Sequence, residues 1–196
     1  MAIPTRVEAA RILLDQRAPD WLLEHSATVA DVASYVGTKI DERGHAINVP
    51  LVEAAALLHD IDKALPANHP LKGLGHADAG AAWLREHGFD ELAPSVASHP
   101  VMRLTEDERY EFWVREATIE ERVVAYADKR SRQDVVSLDE RFEYWISRHG
   151  GNEAMAVARE RADLLEKEVC AAARIDPSAV ERNRWAEAAL AAGTRE

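Results

Sequence analysis

Apolar residues recur along the chain mostly at intervals of three and four, and β-branched residues rarely alternate with polar ones, which is the pattern of amphipathic helices. An all-α fold is expected. A first helix should run over about residues 5–16, with Thr5 as cap and Glu8 at capping-box spacing. Pro19-Asp20 opens a second, whose stripe Leu22, His25, Val29, Val32 and Val36 fades toward Gly44, and a third begins near Pro50 and ends at His59-Asp60. Pro66, Pro70, Gly73 and Gly75 mark 61–75 as a loop, long enough to carry function. Further helices are expected over 76–87, stopped by Gly88, over 90–99, halted by Pro100, and over 118–128, where Thr118 and Glu121 repeat the capping spacing. Beyond Gly150-Gly151, residues 152–173 place Met155, Ala158, Ala162, Leu165 and Val169 on one packing stripe, and a last helix ends near Ala192.

A length of 196 residues suits one domain with a helical extension and suffices for a real core. The formal charge of −11 leaves no global basic footprint, so nucleic acid is not expected as the main partner; a small anion in a locally basic or metal-bearing cleft is compatible with it. Cys170 alone makes neither an intrachain disulfide nor a thiolate metal cage. The polar opening residues and the lack of any apolar run of membrane length lead to the expectation of a soluble, cytoplasmic protein with no membrane partner.

The informative feature is where certain polar residues fall on the apolar stripes. His25 lies within Leu22, Val29 and Val32; His59 follows Val52 and Ala55; His76 begins the face of Ala79, Gly80 and Trp83; His99 ends that of Leu92 and Val96; Asp128 lies one turn after Val124. With Asp60, these imidazoles and carboxylates point from different helices toward one interior. A buried carboxylate needs a compensating partner, because uncompensated desolvation costs several kcal/mol or forces protonation, and a metal ion meets that need. Each histidine taken singly is better explained as a satisfied core or surface residue; the set favours a metal. His87, just before Gly88, suits the end of a helix, and His45, His69 and His149, beside Gly or Pro, suit solvent.

His25, then His59-Asp60 within Ala-Ala-Ala-Leu-Leu-His-Asp-Ile-Asp-Lys, then Ala127-Asp128-Lys129, resembles the HD-domain metal-dependent phosphohydrolase superfamily over about residues 20–145. His76 and His99 extend the resemblance to its dinuclear H-HD-H-H-D subset, and the stretches around them look like the bacterial HD proteins that hydrolyse diadenosine tetraphosphate. Lys129-Arg130-Ser131-Arg132-Gln133-Asp134 lacks the Glu-Pro pair expected of that group. The resemblance implies an HD-type helical bundle, assigned to 1–150, while the apolar stripe of the C-terminal helices over 151–196 leads to the expectation that they pack on it or form a seam with a partner subunit, as in a homodimer. It implies that His25, His59, Asp60 and Asp128 hold one divalent ion and that Asp60 bridges to a second held by His76 and His99. Iron or manganese is preferred by the resemblance, while imidazole and carboxylate ligands also suit cobalt, nickel or zinc, and magnesium stays on the list.

Around this set, Lys63 is a candidate for contacting phosphate or stabilising a leaving group, with a solvated loop lysine as the alternative. Asp62 either orients a ligand or caps the loop. Arg103 and Arg130 are candidate substrate contacts, Arg132 is more simply surface charge, and the aromatics of 112–145 are read chiefly as packing. No covalent nucleophile stands out. The expected activity is hydrolysis of a nucleotide or other small phosphate ester or anhydride by metal-activated water. A mixed-valent di-iron oxygenase and a non-catalytic nucleotide-binding module are the alternatives.

Overall fold

A computed structural model describes residues 3–194, apart from the side chain of His149, on whose exposure it is therefore silent. The helices are α1 (Arg6–Asp15), α2 (Asp20–Glu42), α3 (Val49–Leu57), α4 (Ile61–Ala64), α5 (Asp78–Glu86), α6 (Ala93–Ser98), α7 (Asp107–Glu116), α8 (Ile119–Lys129), α9 (Leu138–His149), α10 (Glu153–Ala173) and α11 (Trp185–Gly193). Short 3-10 turns lie at Pro70–Leu74, Asp90–Leu92, Val101–Leu104 and Pro177–Ala179. Among the described residues the extended pairing is limited to one bridge between Ser131 and Val135, so the fold is all-α.

The centre is α2, whose buried residues occur all round its axis and which packs against α3, α8, α10 and α11. Capping boxes fix the starts of α1 (Thr5 with Glu8), α8 (Thr118 with Glu121) and α9 (Ser137 with Glu140). The stripe of α10 divides: Leu165, Val169, Cys170 and Ala173 join the main core, whereas Met155, Ala158 and Ala162 pack with Leu138 and Phe142 of α9 in a smaller cluster. Trp185, Ala186 and Ala189 of α11 share the main core with Ala9, Ala10 and Leu13 of α1. Buried polar groups reinforce this closure. Asp31 on α2 accepts from the Ala186 amide at 3.0 Å and from Arg182 at 3.1 and 3.2 Å, and Glu53 on α3 joins Arg6 and Ser34.

Five local expectations change. The segment 61–75 is not a plain loop, because α4 and the Pro70–Leu74 turn lie within it. His76 precedes α5 instead of starting it, and 90–99 is a 3-10 turn followed by α6. The stretch 107–116 is the helix α7, which has no fully buried residue and so shows little apolar stripe in the sequence. Between Asp128 and Gly150 lies α9, whose inner face mixes Leu138 and Phe142 with the buried Arg141. Among the described residues no helix is long and apolar enough to cross a membrane.

Candidate metal centre

Five parts of the fold deliver the polar cluster. The first turns of α2 carry His25; the turn between α3 and α4 carries His59 and Asp60; the last turn of α8 carries Asp128. From the other side come His99, which ends α6, and His76, which lies in the turn before α5. His59 and Asp60 escape helical geometry because α3 ends at Leu57, and both sit on the short bend before Ile61 re-enters a helix. That bend directs two adjacent side chains into one space.

Asp60 stands at the middle with its two oxygens facing different neighbours. Oδ2 lies 3.8 Å from His25 Nε2 and 3.3 Å from His59 Nε2; Oδ1 lies 3.4 Å from His76 Nε2 and 3.5 Å from His99 Nε2. Asp128 Oδ1 lies 3.4 Å from His25 Nε2 and 3.9 Å from His59 Nε2. The rings of His25, His59, His99 and His76 meet edge to face in succession, with centroids 5.1, 4.8 and 5.1 Å apart.

Every one of these imidazoles has its other nitrogen committed outward. Nδ1 of His25 donates to Arg132 O at 3.0 Å, that of His59 to Ala56 O at 2.8 Å, and that of His99 to Val96 O at 2.7 Å. Nδ1 of His76 donates to the Asp62 carboxylate at 3.1 Å, which gives Asp62 its role: it orients a histidine. Because a carbonyl only accepts, Nδ1 must carry the proton, which leaves the Nε2 lone pair facing the cluster in the neutral ring. This is the arrangement that orients metal-bound histidine. His59 Nε2 and Asp60 Oδ1 are buried and make no hydrogen bond, the donor-poor condition that an ion would relieve.

The charge states agree. Burial acts to raise the Asp60 and Asp128 carboxyls, but the surrounding groups outweigh it and hold both well below the usual carboxylate range: His59, His99 and Lys63 around Asp60, and His25, Arg141 and Lys129 around Asp128. His99 is pushed down to about 4 by burial, which Asp60 only partly offsets. Burial pulls His59 down as well, yet Asp60 and Asp128 raise it above its ordinary value. Two buried carboxylates held ionised thus face the four imidazoles, of which His99 is kept neutral by burial and His59 is drawn toward its charged form by the two acids. Groups of His25, His59 and Asp128, of His59, Asp60 and His99, and of Asp60, Asp62 and His76 each bring their ligand atoms within 4.8 Å of one another, a donor set that fits divalent first-row metals.

The flanking cations separate into two kinds. Lys63 Nζ lies 2.6 Å from Asp60 Oδ2, and Arg141, which the sequence did not single out, lies 3.4 Å from Asp128 Oδ1. Lys129 is buried, is pushed down to about 8 by that burial, and donates to the carbonyl of His99 at 2.7 Å, so it fixes one side of the cluster from behind. Of the expected substrate contacts, Arg130 is taken up by the core and Arg103 is tied to the segments that carry His76 and His99. Arg103 pairs with Asp78 at 2.8 Å and donates to Ala97 O, because Pro100 ends the helical spacing that would have stacked it one turn beyond His99. Arg130, about 200° around α8 from Asp128, points into the core. There it bonds Val136 O (2.7 Å), Tyr126 Oη (2.6 Å), Glu166 (2.7 Å) and Pro177 O (3.0 Å).

The remaining groups play local parts. His45 is exposed, half-buried His69 accepts from the Leu71 amide, and His87 stacks on Trp83 while donating to its carbonyl at the end of α5. Burial raises the Cys170 thiol beside Tyr126, the opposite of an activated nucleophile. Ala77, which follows His76, has φ 65° and ψ −42°, and the Asp78 amide closes a γ-turn onto His76 O at 2.9 Å.

The description HD domain matches residues 22–133, a span that contains each of the six clustered residues. The uncharacterized protein MJ0778 of Methanocaldococcus jannaschii is 32% identical over 127 residues, covering 62% of this chain and 72% of that protein. A tRNA (cytidine(56)-2'-O)-methyltransferase of Thermoplasma volcanium is 31% identical over 133 residues, which are 64% of this chain and 36% of that protein, so this likeness is to part of a longer molecule. No solved structure matches. Since the matched span covers over half of the sequence and has the His59-Asp60 bend at its heart, the chain belongs to the HD domain family.

Proposed function

We propose that the protein is a divalent-metal phosphohydrolase acting on a small phosphate ester or anhydride, and that its cluster holds two ions bridged by Asp60. The observation that carries this reading is the division of Asp60: Oδ2 faces His25 and His59, with Asp128 beside them, while Oδ1 faces His76 and His99. His25, His59, Asp60 and Asp128 would hold one ion, and Asp60, His76 and His99 the other. Bound there, divalent ions would supply a water of lowered pKa and neutralise phosphoryl charge. Iron or manganese is the preferred pair.

The chain's own groups divide the remaining work. Buried His59 and His99 close the floor of the site, and His25 and His76 lie on its more open side. The Lys63 ammonium, partly exposed and already against Asp60, would meet a phosphoryl oxygen and stabilise a leaving group, a role its exposure beside the cluster supports. Arg141 and Lys129 hold Asp128 ionised, so it stays a ligand at neutral pH.

The test is elemental analysis of protein purified without chelator, followed by phosphate release from a substrate panel in manganese, cobalt and iron, under nitrogen. Phosphate release that depends on metal and proceeds without oxygen is the expected result. Turnover that requires oxygen, or full activity after complete metal removal, would overturn the proposal.

A further inference from the structure

Beside the cluster opens a cavity of about 250 Å³ lined by Trp21, His25, Lys63, Arg132, Gln133, Arg141, Tyr144, Trp145 and Arg148. In a chain of formal charge −11, this lining contains four cationic side chains and no carboxylate. The Arg132 guanidinium carbon lies 4.0 Å from the centre of the Tyr144 ring, and Arg148 donates to Tyr144 Oη at 3.1 Å; among the described residues neither pairs with an acid. Arg141 lies over Trp145 at 4.3 Å, is only 8% exposed, and its Nε has no hydrogen-bond acceptor. Stacking on aromatic rings pre-orders these forks, which lowers the entropy lost when they bind.

The charge balance is unusual. Lys63 and Arg141 are neutralised by Asp60 and Asp128, but those carboxylates are the ones an ion would take. Metal loading therefore leaves the wall more positive, with Arg132 and Arg148 already unmatched. At the rim stands Trp21, 49% exposed and one turn before His25 on the same face of α2. The cavity is smaller than the roughly 300–1,000 Å³ of clefts that bury a whole ligand, so it encloses a charged end and leaves the rest beside that indole.

Resting on the phosphohydrolase reading, we propose that Arg132, Arg141 and Arg148 form a subsite for a second phosphate group, with Trp21 stacking a ring beyond it. The protein then selects phosphoanhydrides of nucleotides over simple monoesters. In their hydrolysis a water oxygen bonds the terminal phosphorus and the bond to the bridging oxygen breaks. The electron pair leaves on the penultimate phosphate, one proton stays on the released phosphate and the other goes to solvent. The departing charge develops against the arginine wall.

The experiment measures binding to metal-loaded protein by calorimetry, using a methylene-bridged nucleoside triphosphate, the corresponding monophosphate and inorganic tripolyphosphate. The bridged triphosphate should bind at least about tenfold tighter than the monophosphate, as charge-assisted bonds to further phosphate oxygens require. Arg132→Ala and Arg148→Ala should each erase most of that ratio, and Arg115→Ala, a surface arginine away from the cavity, should leave it intact. Trp21→Ala should weaken the nucleotide and not tripolyphosphate. Equal binding of monophosphate and triphosphate, or a ratio that survives both arginine variants, overturns the subsite. Phosphate release from monoesters alongside equal binding would sink the subsite and leave the hydrolase standing. The expected binding pattern with no release from any substrate would sink the hydrolase and leave the subsite.

Discussion

Replacing Arg130 with Met separates a structural arginine from a substrate-binding one. The guanidinium ties α8 to the turn at Val136, to Glu166 on α10 and to Pro177, and the side chain is 6% exposed. Removing one partner of a buried ion pair costs about 3–5 kcal/mol, because the other is left without compensation. Glu166 is 16% exposed, so water relieves part of that cost and the low end applies. At about 2–4 °C per kcal/mol for a chain of this size, a cost of about 3 kcal/mol lowers Tm by roughly 6–12 °C. Thermal unfolding followed by circular dichroism reads the loss, and phosphate release well below the new Tm reads KM. A KM close to that of the parent is expected, and the further change Glu166→Met should recover part of the stability. An unchanged Tm with a tenfold higher KM would refute the structural assignment and return Arg130 to the substrate.

Three other outcomes are expected. Asp60→Ala should empty the site, whereas His76→Ala should leave about half of the metal; equal, full metal content in both by mass spectrometry would contradict the bridging arrangement. Chelation should lower Tm, since an ion present at a hundred times its dissociation constant contributes about 2.7 kcal/mol, or roughly 5–11 °C here; an unmoved transition would mean that no ion stabilises the fold. The capping carboxyls of Glu8 and Glu140 are held below their ordinary value by bonds from Thr5 and Ser137. Their contribution is therefore present above the unfolded-state pKa and lost as pH falls through the folded one, so Glu8→Gln with Glu140→Gln should flatten the decline of stability below about pH 4.5.

The sequence exposes His25 and Asp128 because each interrupts an apolar stripe on a long helix, where the 3.6-residue period projects directly into space. His59, Asp60 and His99 are legible as residues but not as geometry, since all three lie where helices end and periodicity stops applying. Proximity in sequence misleads for Arg130, which half a helical turn rotates into the core, and Pro100 breaks the helical register by which Arg103 could be placed. The wall of Arg141, Tyr144, Trp145 and Arg148 follows helical spacing, but without knowledge that α9 faces α2 the stripe looks like any solvated surface. Helix α7 leaves little apolar trace because it has no fully buried residue and rests on the cores only through the partly buried Tyr110 and Trp113.

His76 differs from its neighbours in how it is kept in place. Its ring is 38% exposed where that of His99 is 2%, and the peptide that follows it is wound at Ala77 into a γ-turn of the sterically costly, positive-φ kind, worth about 1–3 kcal/mol of strain. Asp62 supplies the counterpull by gripping the imidazole from outside. One flank of the site thus resembles a latch under tension and the opposite flank a cast wall. Wear, exchange or failure should begin at the latch, and cutting the Asp62 tether is the smallest change that would spring it.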